Sequence, residues 1–307
     1  MKKVSIIIPV NNESENIKLI ADAVQRVMEP LPYGYSVTFI DDGSTDDTLA
    51  IVKQLSKVHS HIFFISFSRN FGHQNALKAG IDASNADAVI SMDGDMQHPP
   101  ELIPELLKLW EAGNDIVYTI RKDHQELPMM KRKASNMFYN VLNRLSDIEL
   151  ESGTADFRLM DKKVTDVLRT IKEQDLFWRG LIKWMGFSQI SIEYEPGVRI
   201  KGKSKYTYKK MIEFALRGIT SFSTKPLTIA IYLGFISSII ALLYIPYALY
   251  SLYFGHVISG WASLIVTIAF FGGLQLMILG IIGMYLGKLF MQSKQRPHYV
   301  VMESNII

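Results

Sequence analysis

The chain of 307 residues contains no cysteine. This absence excludes disulfide scaffolds, thiolate zinc sites, iron–sulfur clusters and cysteine nucleophiles. The 33 Lys and Arg residues barely exceed the 30 Asp and Glu residues, and 48% of the chain is hydrophobic. That balance is untypical of disordered chains and of basic nucleic-acid-binding tails. We therefore expect a folded protein with no nucleic-acid partner.

Charge is also missing from one long stretch, because no Asp, Glu, Lys or Arg lies between Lys225 and Lys288. An apolar helix of roughly 20 residues spans a bilayer. The stretch therefore predicts two transmembrane helices, about 227–253 and about 261–287, and a soluble helical hairpin is the weaker alternative. Basic residues flank the pair, whereas Asp, Glu, Lys and Arg are all absent from the loop between them, which contains His256. By the positive-inside rule, both termini face the cytoplasm.

Ahead of this stretch, short apolar runs rich in β-branched residues alternate with amphipathic segments. The order predicts an α/β domain, a doubly wound and mostly parallel sheet flanked by helices. The predicted strands are Val4–Ile8, Val37–Ile40, Ile62–Ile65, Ala88–Met92 and Ile116–Ile120, and the predicted helices are Glu15–Met28, Asp46–Lys57, Gln74–Ala83 and Glu101–Trp110. No secretory signal precedes the first strand, so we expect this domain in the cytoplasm.

Acids and amides follow three of the predicted strands, at Pro9–Glu13, Asp41–Asp46 and Asp93–His98. Ligands of such sheets bind beyond the carboxyl ends of the strands. Taken singly, each segment is also explained as a turn or a helix cap. Together, the carboxylates would repel one another unless a cation joins them. Oxygen ligands of this kind suit Mg²⁺ or Mn²⁺.

Four segments, Ile7–Glu13, Asp41–Asp46, Ser68–Gln74 and Asp93–Pro99, resemble the inverting family-2 glycosyltransferases of GT-A fold. More narrowly, they resemble the branch of dolichyl-phosphate mannose synthase and bactoprenol glucosyltransferase, whose bacterial members also end in two transmembrane helices. The resemblance implies transfer of a hexose from a nucleotide diphosphate sugar, with UDP-glucose the expected donor. The implied acceptor is undecaprenyl or a similar polyprenyl phosphate at the cytoplasmic leaflet of the cell membrane. The lipid-linked sugar would serve cell-envelope glycosylation.

The resemblance also implies roles for individual residues. The residues expected to bind the nucleotide sugar are Pro9, Asn11, Glu13, Asp41, Asp42, Asp93 and Gly94. The expected ligands of Mg²⁺ or Mn²⁺ are Asp93, Asp95 and Gln97, and Gly94 stands where the branch often has Ala. Asp156 matches the catalytic Asp of the family, with a turn or cap acid as the alternative. It would either take the last proton of the acceptor or orient the sugar.

An acceptor phosphate needs cationic partners. The resemblance and the positions of the basic residues predict that Arg121, Arg132, Arg199, Lys203 and Lys205 bind it. Arg121 and Arg132 follow the fifth predicted strand, and the other three lie in a basic loop before the membrane. For the lysines, contact with anionic headgroups is an equally good explanation.

The expected organisation has four parts. Residues 1–206 form the catalytic domain, residues 207–225 an amphipathic juxtamembrane helix, residues 226–289 the two transmembrane helices and residues 290–307 a cytoplasmic tail. Other donors, such as UDP-N-acetylglucosamine, UDP-galactose or GDP-mannose, and a polysaccharide or another lipid as acceptor, remain alternatives. A non-catalytic membrane scaffold or flippase partner is the alternative outside enzymes. A homo-oligomer is compatible with each of these functions.

Overall fold

The structure is a computed structural model that describes residues 1–122, 143–144, 151, 153–195, 218–254 and 260–306. These residues build one eight-stranded sheet with helices on both faces, and two long apolar helices that follow it. Of the predicted juxtamembrane helix, only residues 218–222 are described as helical, and residues 207–217 lie outside the described part of the chain.

The sheet has the strand order β7-β5-β6-β4-β1-β2-β3-β8. Its strands are β1 (Lys3–Val10), β2 (Gly34–Asp41), β3 (Ile62–Phe67), β4 (Ala88–Ser91), β5 (Ile116–Arg121), β6 (Thr154–Asp161), β7 (Gln189–Tyr194) and β8 (Val301–Ser304). The neighbours β4, β1, β2 and β3 are parallel to one another. In contrast, β6 runs antiparallel to both β4 and β5. The prediction of a mostly parallel α/β sheet is therefore confirmed, with one antiparallel strand inside it.

Eight helices with defined bounds accompany the strands in the described residues, in addition to the short helical stretch at residues 218–222. They are α1 (Ser14–Met28), α2 (Thr48–Val58), α3 (His73–Ala83), α4 (Ile103–Glu111), α5 (Lys162–Thr170), α6 (Trp178–Trp184), α7 (Lys225–Tyr253) and α8 (Trp261–Ser293), and a short 3₁₀ turn, Pro100–Leu102, precedes α4. The four helices predicted before the membrane segment correspond to α1 to α4. Their ends differ from the predicted ones by a few residues, as expected where helix ends fray.

Both faces of the central strands are buried, which explains why β1 reads as a continuous apolar run. Successive side chains of a strand point to opposite faces. Accordingly, Ile6 and Ile8 lie in the core on one face together with Val24 of α1. Ile7, between them, lies in the core on the other face, beside Ala79 of α3. Helices thus cover both faces of the sheet and leave the strand ends open for a ligand.

The two C-terminal helices, α7 and α8, are long and apolar enough to cross a membrane by length and composition. Their candidate spans, Lys225–Ser251 and Ser263–Ser293, have mean hydropathies of 2.2 and 2.3. In the most apolar 18-residue stretch of each helix, only 6% of α7 and 0% of α8 is buried within the protein. These are therefore not core helices of a soluble domain. The helices lie where the sequence predicted them, and α8 continues beyond the predicted end to Ser293.

The segment predicted as a tail after the second helix returns to the sheet. Its strand β8 pairs antiparallel with β3, and the Ser68 amide donates to the carbonyl oxygen of Val300 at 3.0 Å. The Tyr299 ring stacks on Phe67 with 5.0 Å between ring centroids. This segment therefore joins α8 to strand β3 and adds β8 at the edge of the sheet.

Candidate active site

The carboxyl ends of β1, β2 and β4 meet at one edge of the sheet, because the three strands are parallel neighbours. The antiparallel strand β6 begins at this same edge. It pairs with β4 so that Ser91 faces Arg158. The Ser91 hydroxyl donates to the carbonyl oxygen of Asp156 at 2.6 Å. The strand order thus brings Asp156 next to the Asp93–His98 turn that follows β4.

Asp93 lies between two histidines. Nε2 of His73 is 3.5 Å from Oδ1 of Asp93, and Nε2 of His98 is 3.7 Å from Oδ2. The same His73 nitrogen is 3.9 Å from Oδ2 of Asp156. His73 therefore stands between the two carboxylates that the sequence assigned to metal binding and catalysis.

His98 fixes the conformation of the turn that follows β4. The Asp93 amide donates to Nδ1 of His98 at 2.9 Å, so the neutral imidazole carries its proton on Nε2. The ring is buried and stacks on Phe157, with 5.3 Å between ring centroids. This contact orients the backbone at Asp93, so we assign His98 a positioning role.

Asp156 is held by two guanidinium groups. Nε and Nη2 of Arg179 donate to Oδ1 and Oδ2 of Asp156, each at 3.1 Å, in a bidentate pair. Nη2 of Arg158 adds a third hydrogen bond to Oδ1 at 3.2 Å. Burial opposes ionisation of the carboxyl group, but the two arginines outweigh it and hold the pKa of Asp156 well below its usual range. Asp156 is therefore an anion near neutral pH and a weak base.

Asp95 and Gln97 lie together on the outer part of the turn. Oδ1 of Asp95 accepts from the Gln97 amide at 3.1 Å, an arrangement that shapes the turn. Nη1 of Arg121, at the end of β5, donates to Oε1 of Gln97 at 3.3 Å. Arg121, predicted to bind the acceptor, thus contacts a residue predicted to bind the metal.

The donor set at this turn fits a hard divalent cation. Oδ1 of Asp93 is buried and has no hydrogen-bond partner among the described residues, which is the environment of a metal-facing oxygen. The part of the chain that the structure describes contains no group of three or more His, Asp or Glu side chains arranged to hold a metal by themselves. Mg²⁺ and similar ions commonly use one or two carboxylates and complete their coordination with phosphate oxygens and water. The turn matches that pattern.

The adjacent pair Asp41 and Asp42 is engaged within the protein. Asp41 accepts from the Ser44 amide at 3.0 Å and from the Ser66 hydroxyl at 2.8 Å. Asp42 accepts from the amides of Phe71 and Gly72, at 2.6 Å and 2.9 Å. Burial raises the pKa of Asp42 despite these backbone donors. The pair holds the loop before α3, and hence His73, against the sheet edge.

The other predicted nucleotide-site residues line the same edge. Pro9 is buried near the end of β1, and Nδ2 of Asn11 donates to the carbonyl oxygen of Asp42 at 2.8 Å. Oε2 of Glu13 accepts from Nδ2 of Asn16 at 2.6 Å. Gly94 packs against β1, since a Cβ there would lie 2.8 Å from Cγ1 of Val10. Whether these residues contact a nucleotide stays a prediction.

Four predicted acceptor residues lie outside the described part of the chain. They are Arg132, Arg199, Lys203 and Lys205. Of the predicted basic residues, Arg121 is described, and its contact with Gln97 connects it to the turn after β4.

The sequence analysis gave no role to four residues of the site: His73, His98, Arg158 and Arg179. His73 and His98 fall within segments that carried the family resemblance, and Arg158 lies two residues after Asp156, so these positions were the available signal. Arg179 had none, because it reaches Asp156 from a separate helix. Its helix α6 is fixed by two hydrogen bonds from Trp178 to Gln74, at 2.8 Å and 3.1 Å.

Similarity to known proteins agrees with this geometry. The chain is 40% identical to an uncharacterised glycosyltransferase of Bacillus subtilis (strain 168), over 98% of this chain and 93% of the relative. It is 39% identical to the bactoprenol glucosyl transferase of Shigella phage SfV, over 97% of this chain and 98% of the relative. The fold resembles mannosyl-3-phosphoglycerate synthase from Rubrobacter xylanophilus, with a TM-score of 0.51 and 16% identity over 72% of this chain and 73% of that one.

The match to a protein family covers the site described above. Residues 5–169 match the family described as glycosyl transferase family 2. They include the three acidic strand ends, His73 and Asp156. With this match and the full-length relatives, the chain belongs to glycosyl transferase family 2.

Proposed function

We propose that the protein transfers glucose from UDP-glucose to undecaprenyl phosphate or a similar polyprenyl phosphate, with inversion at the anomeric carbon. The observation that carries this proposal is the similarity to bactoprenol glucosyl transferases over nearly the whole chain, including both apolar helices. A relative that shared the catalytic domain alone would say little about a lipid acceptor. The lipid-linked glucose would serve as a donor in cell-envelope glycosylation.

The donor diphosphate would lie at the turn after β4. Asp93, Asp95 and Gln97 are the residues that would hold a Mg²⁺ or Mn²⁺ ion there. Such an ion neutralises charge on the departing UDP. Arg121 adds a fixed positive charge beside Gln97, within reach of the same phosphates.

The transfer itself needs little proton chemistry. A polyprenyl phosphate is largely dianionic near neutral pH, because the second pKa of such a phosphate is about 6. One of its oxygens forms a bond to the anomeric carbon while the bond from that carbon to the UDP oxygen breaks, and UDP leaves with the electron pair. A single displacement of this kind inverts the configuration. The low pKa of Asp156 supports a role in orientation rather than in proton removal.

The donor and the panel of alternatives can be tested directly. Detergent-purified protein is incubated with undecaprenyl phosphate, Mg²⁺ or Mn²⁺, and in turn UDP-glucose, UDP-N-acetylglucosamine, UDP-galactose or GDP-mannose. Mass spectrometry of the lipid product should find a hexosyl phospholipid with UDP-glucose, formed faster than with the other donors. If another donor gives the higher product yield, the sugar of that donor is the one transferred, and the assignment of glucose is wrong. No lipid product with any donor would refute lipid-phosphate transfer.

We further infer a cytoplasmic catalytic domain and cytoplasmic termini, with both α7 and α8 spanning the membrane. Basic residues flanking both helices support this orientation. Because the chain has no cysteine, single cysteines report without background. A cysteine at position 257, in the loop between the helices, should react with an impermeant reagent added to intact cells. Cysteines at Lys57 and Lys294 should react only after permeabilisation. Labelling of Lys57→Cys in intact cells would overturn the orientation.

A further inference from the structure

The carboxylate of Asp156 accepts three hydrogen bonds from two arginines, more than a catalytic base needs. Both of its oxygens accept hydrogen bonds from guanidinium groups, and its side chain is only 13% exposed. Arg158 is 5% exposed and also donates to the carbonyl oxygen of Ala155 at 2.8 Å, so it is part of the protein interior. Arg179 is 22% exposed and reaches Asp156 from helix α6, so it is the more accessible of the two arginines.

We propose that Arg179, oriented by Asp156, binds the phosphate of the lipid acceptor. This inference rests on the proposed function. It makes Arg179 a residue that contacts substrate and Asp156 the positioning residue that holds it. An Arg guanidinium presents its N–H donors in a planar fork that matches carboxylate and phosphate geometry.

The position of Arg179 suits the incoming phosphate. One nitrogen of His73 lies 3.9 Å from Asp156 and 3.5 Å from Asp93, so the Asp156–Arg179 pair adjoins the donor turn. A nucleophile must approach the anomeric carbon from the side opposite the leaving diphosphate. In this proposal the sugar lies between Asp93 and Asp156, which puts Asp156 and Arg179 on the side opposite the diphosphate.

The charges also favour an anion at this place. Asp156 can neutralise one of the two guanidiniums that contact it. Burial lowers the pKa of Arg158 to about 10, which leaves it charged near neutral pH. Asp156, Arg158 and Arg179 together thus carry one net positive charge, which favours an anionic ligand beside them. An acid needed as a base would be poorly served by two such neighbours.

Arg179 lies on the element that connects the cleft with the apolar helices. The segment before α6 contacts α8, because Lys288 pairs with Asp175 at 3.0 Å and the Gln174 amide donates to Oε1 of Gln292 at 2.8 Å. Close by, the rings of Phe177 and Phe222 lie 6.0 Å apart. A headgroup leaving the bilayer along α8 would meet this segment first, and Arg179 is the basic residue of α6 nearest to it.

The test uses the full-length protein with UDP-glucose, Mn²⁺ and undecaprenyl phosphate. The variants are Arg179→Gln, Arg179→Lys, Asp156→Asn and the double variant Asp156→Asn/Arg179→Gln. Lys183→Gln is the matched control, because Lys183 lies one turn later on α6 and pairs with Glu151 at 3.1 Å. Initial rates give kcat and the acceptor KM, and calorimetry gives the affinity for UDP with Mn²⁺.

We expect Arg179→Gln to raise the acceptor KM roughly tenfold or more, with UDP affinity within about twofold of the wild type. Arg179→Lys should raise the acceptor KM less than Arg179→Gln does, since lysine keeps the positive charge but lacks the planar guanidinium. Asp156→Asn should raise the same KM, and the double variant should match Arg179→Gln rather than the product of both effects. Lys183→Gln should leave both constants unchanged.

Two results would overturn the inference alone. One is a wild-type acceptor KM in Arg179→Gln. The other is an Asp156→Asn variant that loses kcat at unchanged KM, with effects that multiply in the double variant, as expected of an independent base. If the wild type transfers no sugar to undecaprenyl phosphate, the proposed function itself fails, and the inference falls with it.

Discussion

Two Asp-Gly turns lie at the same edge of the sheet, yet they use their carboxylates differently. In the turn after β2, Asp41 and Asp42 accept hydrogen bonds from Ser44, Ser66 and two backbone amides of the neighbouring loop. In the turn after β4, Oδ1 of Asp93 has no hydrogen-bond partner among the described residues, and its side chain is 37% exposed. The first turn is part of the framework, whereas the second presents oxygens to a ligand.

The glycines of the two turns differ in the same way. Gly43 has a φ of 65°, and a Cβ there would lie 2.4 Å from the carbonyl carbon of Arg69. Gly94 is not among the glycines with a positive φ, and its added Cβ would meet a methyl group of Val10. The sequence Asp-Gly therefore carries no functional meaning by itself. Whether neighbouring groups donate hydrogen bonds to the carboxylates decides which turn can bind a metal.

The largest expected effect is on catalysis at the second turn. Asp95→Asn should lower the transfer rate on the order of 100-fold or more, because the charge that holds a divalent ion near the leaving diphosphate is removed. Removal of divalent ions with EDTA should abolish transfer by the wild type, and added Mg²⁺ or Mn²⁺ should restore it. Asp47→Asn is the control, since Asp47 is exposed and its side chain makes no cap hydrogen bond. Full activity of the metal-free wild type would contradict the metal assignment.

The next effect is on stability at the first turn. Gly43→Ala should destabilise the fold by about 2 to 4 kcal/mol, since a left-handed residue is replaced and its Cβ meets backbone atoms of the adjacent loop. Thermal unfolding in detergent gives the comparison. Gly113→Ala is the matched control, because Gly113 also has a positive φ, of 99°, but a Cβ there meets nothing within 4 Å. Equal losses in both variants would mean that backbone strain alone matters and that the turn is not locked.

A smaller effect depends on pH. The arginines depress the pKa of Asp156 in the folded state, so its stabilising contribution is complete above the ordinary Asp pKa of about 4. The contribution is lost as the pH falls through the folded pKa. The stability difference between wild type and Asp156→Asn should therefore be largest near pH 7 and should shrink by about 1 kcal/mol or more below pH 4. Burial raises the pKa of Asp42, so Asp42→Asn should show the opposite trend.

Much of the framework could be predicted from the sequence. Buried parallel strands read as apolar runs, so the first five strands and the helices between them were found, together with both long apolar helices. Strands β6, β7 and β8 were not predicted. In β6, Asp156 and Arg158 interrupt the apolar pattern, because two of its positions serve the site. In β8, all four residues are exposed.

The candidate site was predictable only in its acidic half. Asp93, Asp95 and Asp156 stand in segments whose residue types suggest chemistry. The partners His73 and Arg179 come from distant parts of the chain, and the antiparallel insertion of β6 between β4 and β5 brings Asp156 to the turn after β4. The spacing of these residues along the sequence does not show that β6 lies between β4 and β5. The framework role of Asp42 could not be predicted either. It depends on hydrogen bonds from the loop at Phe71, and hydropathy does not show where that loop lies.

The smallest expected effect concerns Gly94, the position at which the resembling branch often has Ala. The nearest atom to an added Cβ is Cγ1 of Val10 at 2.8 Å, followed by the carbonyl oxygen of Pro9 at 3.4 Å. A side-chain methyl group can yield, so Gly94→Ala should cost about 1 kcal/mol or less and change kcat/KM only a few-fold. The substitution Val10→Ala removes this contact. The double variant Val10→Ala/Gly94→Ala should therefore be as stable as Val10→Ala alone. If Gly94→Ala instead loses activity as severely as Asp95→Asn, the second turn is as tightly constrained as the first, and the distinction between a framework turn and a ligand turn fails.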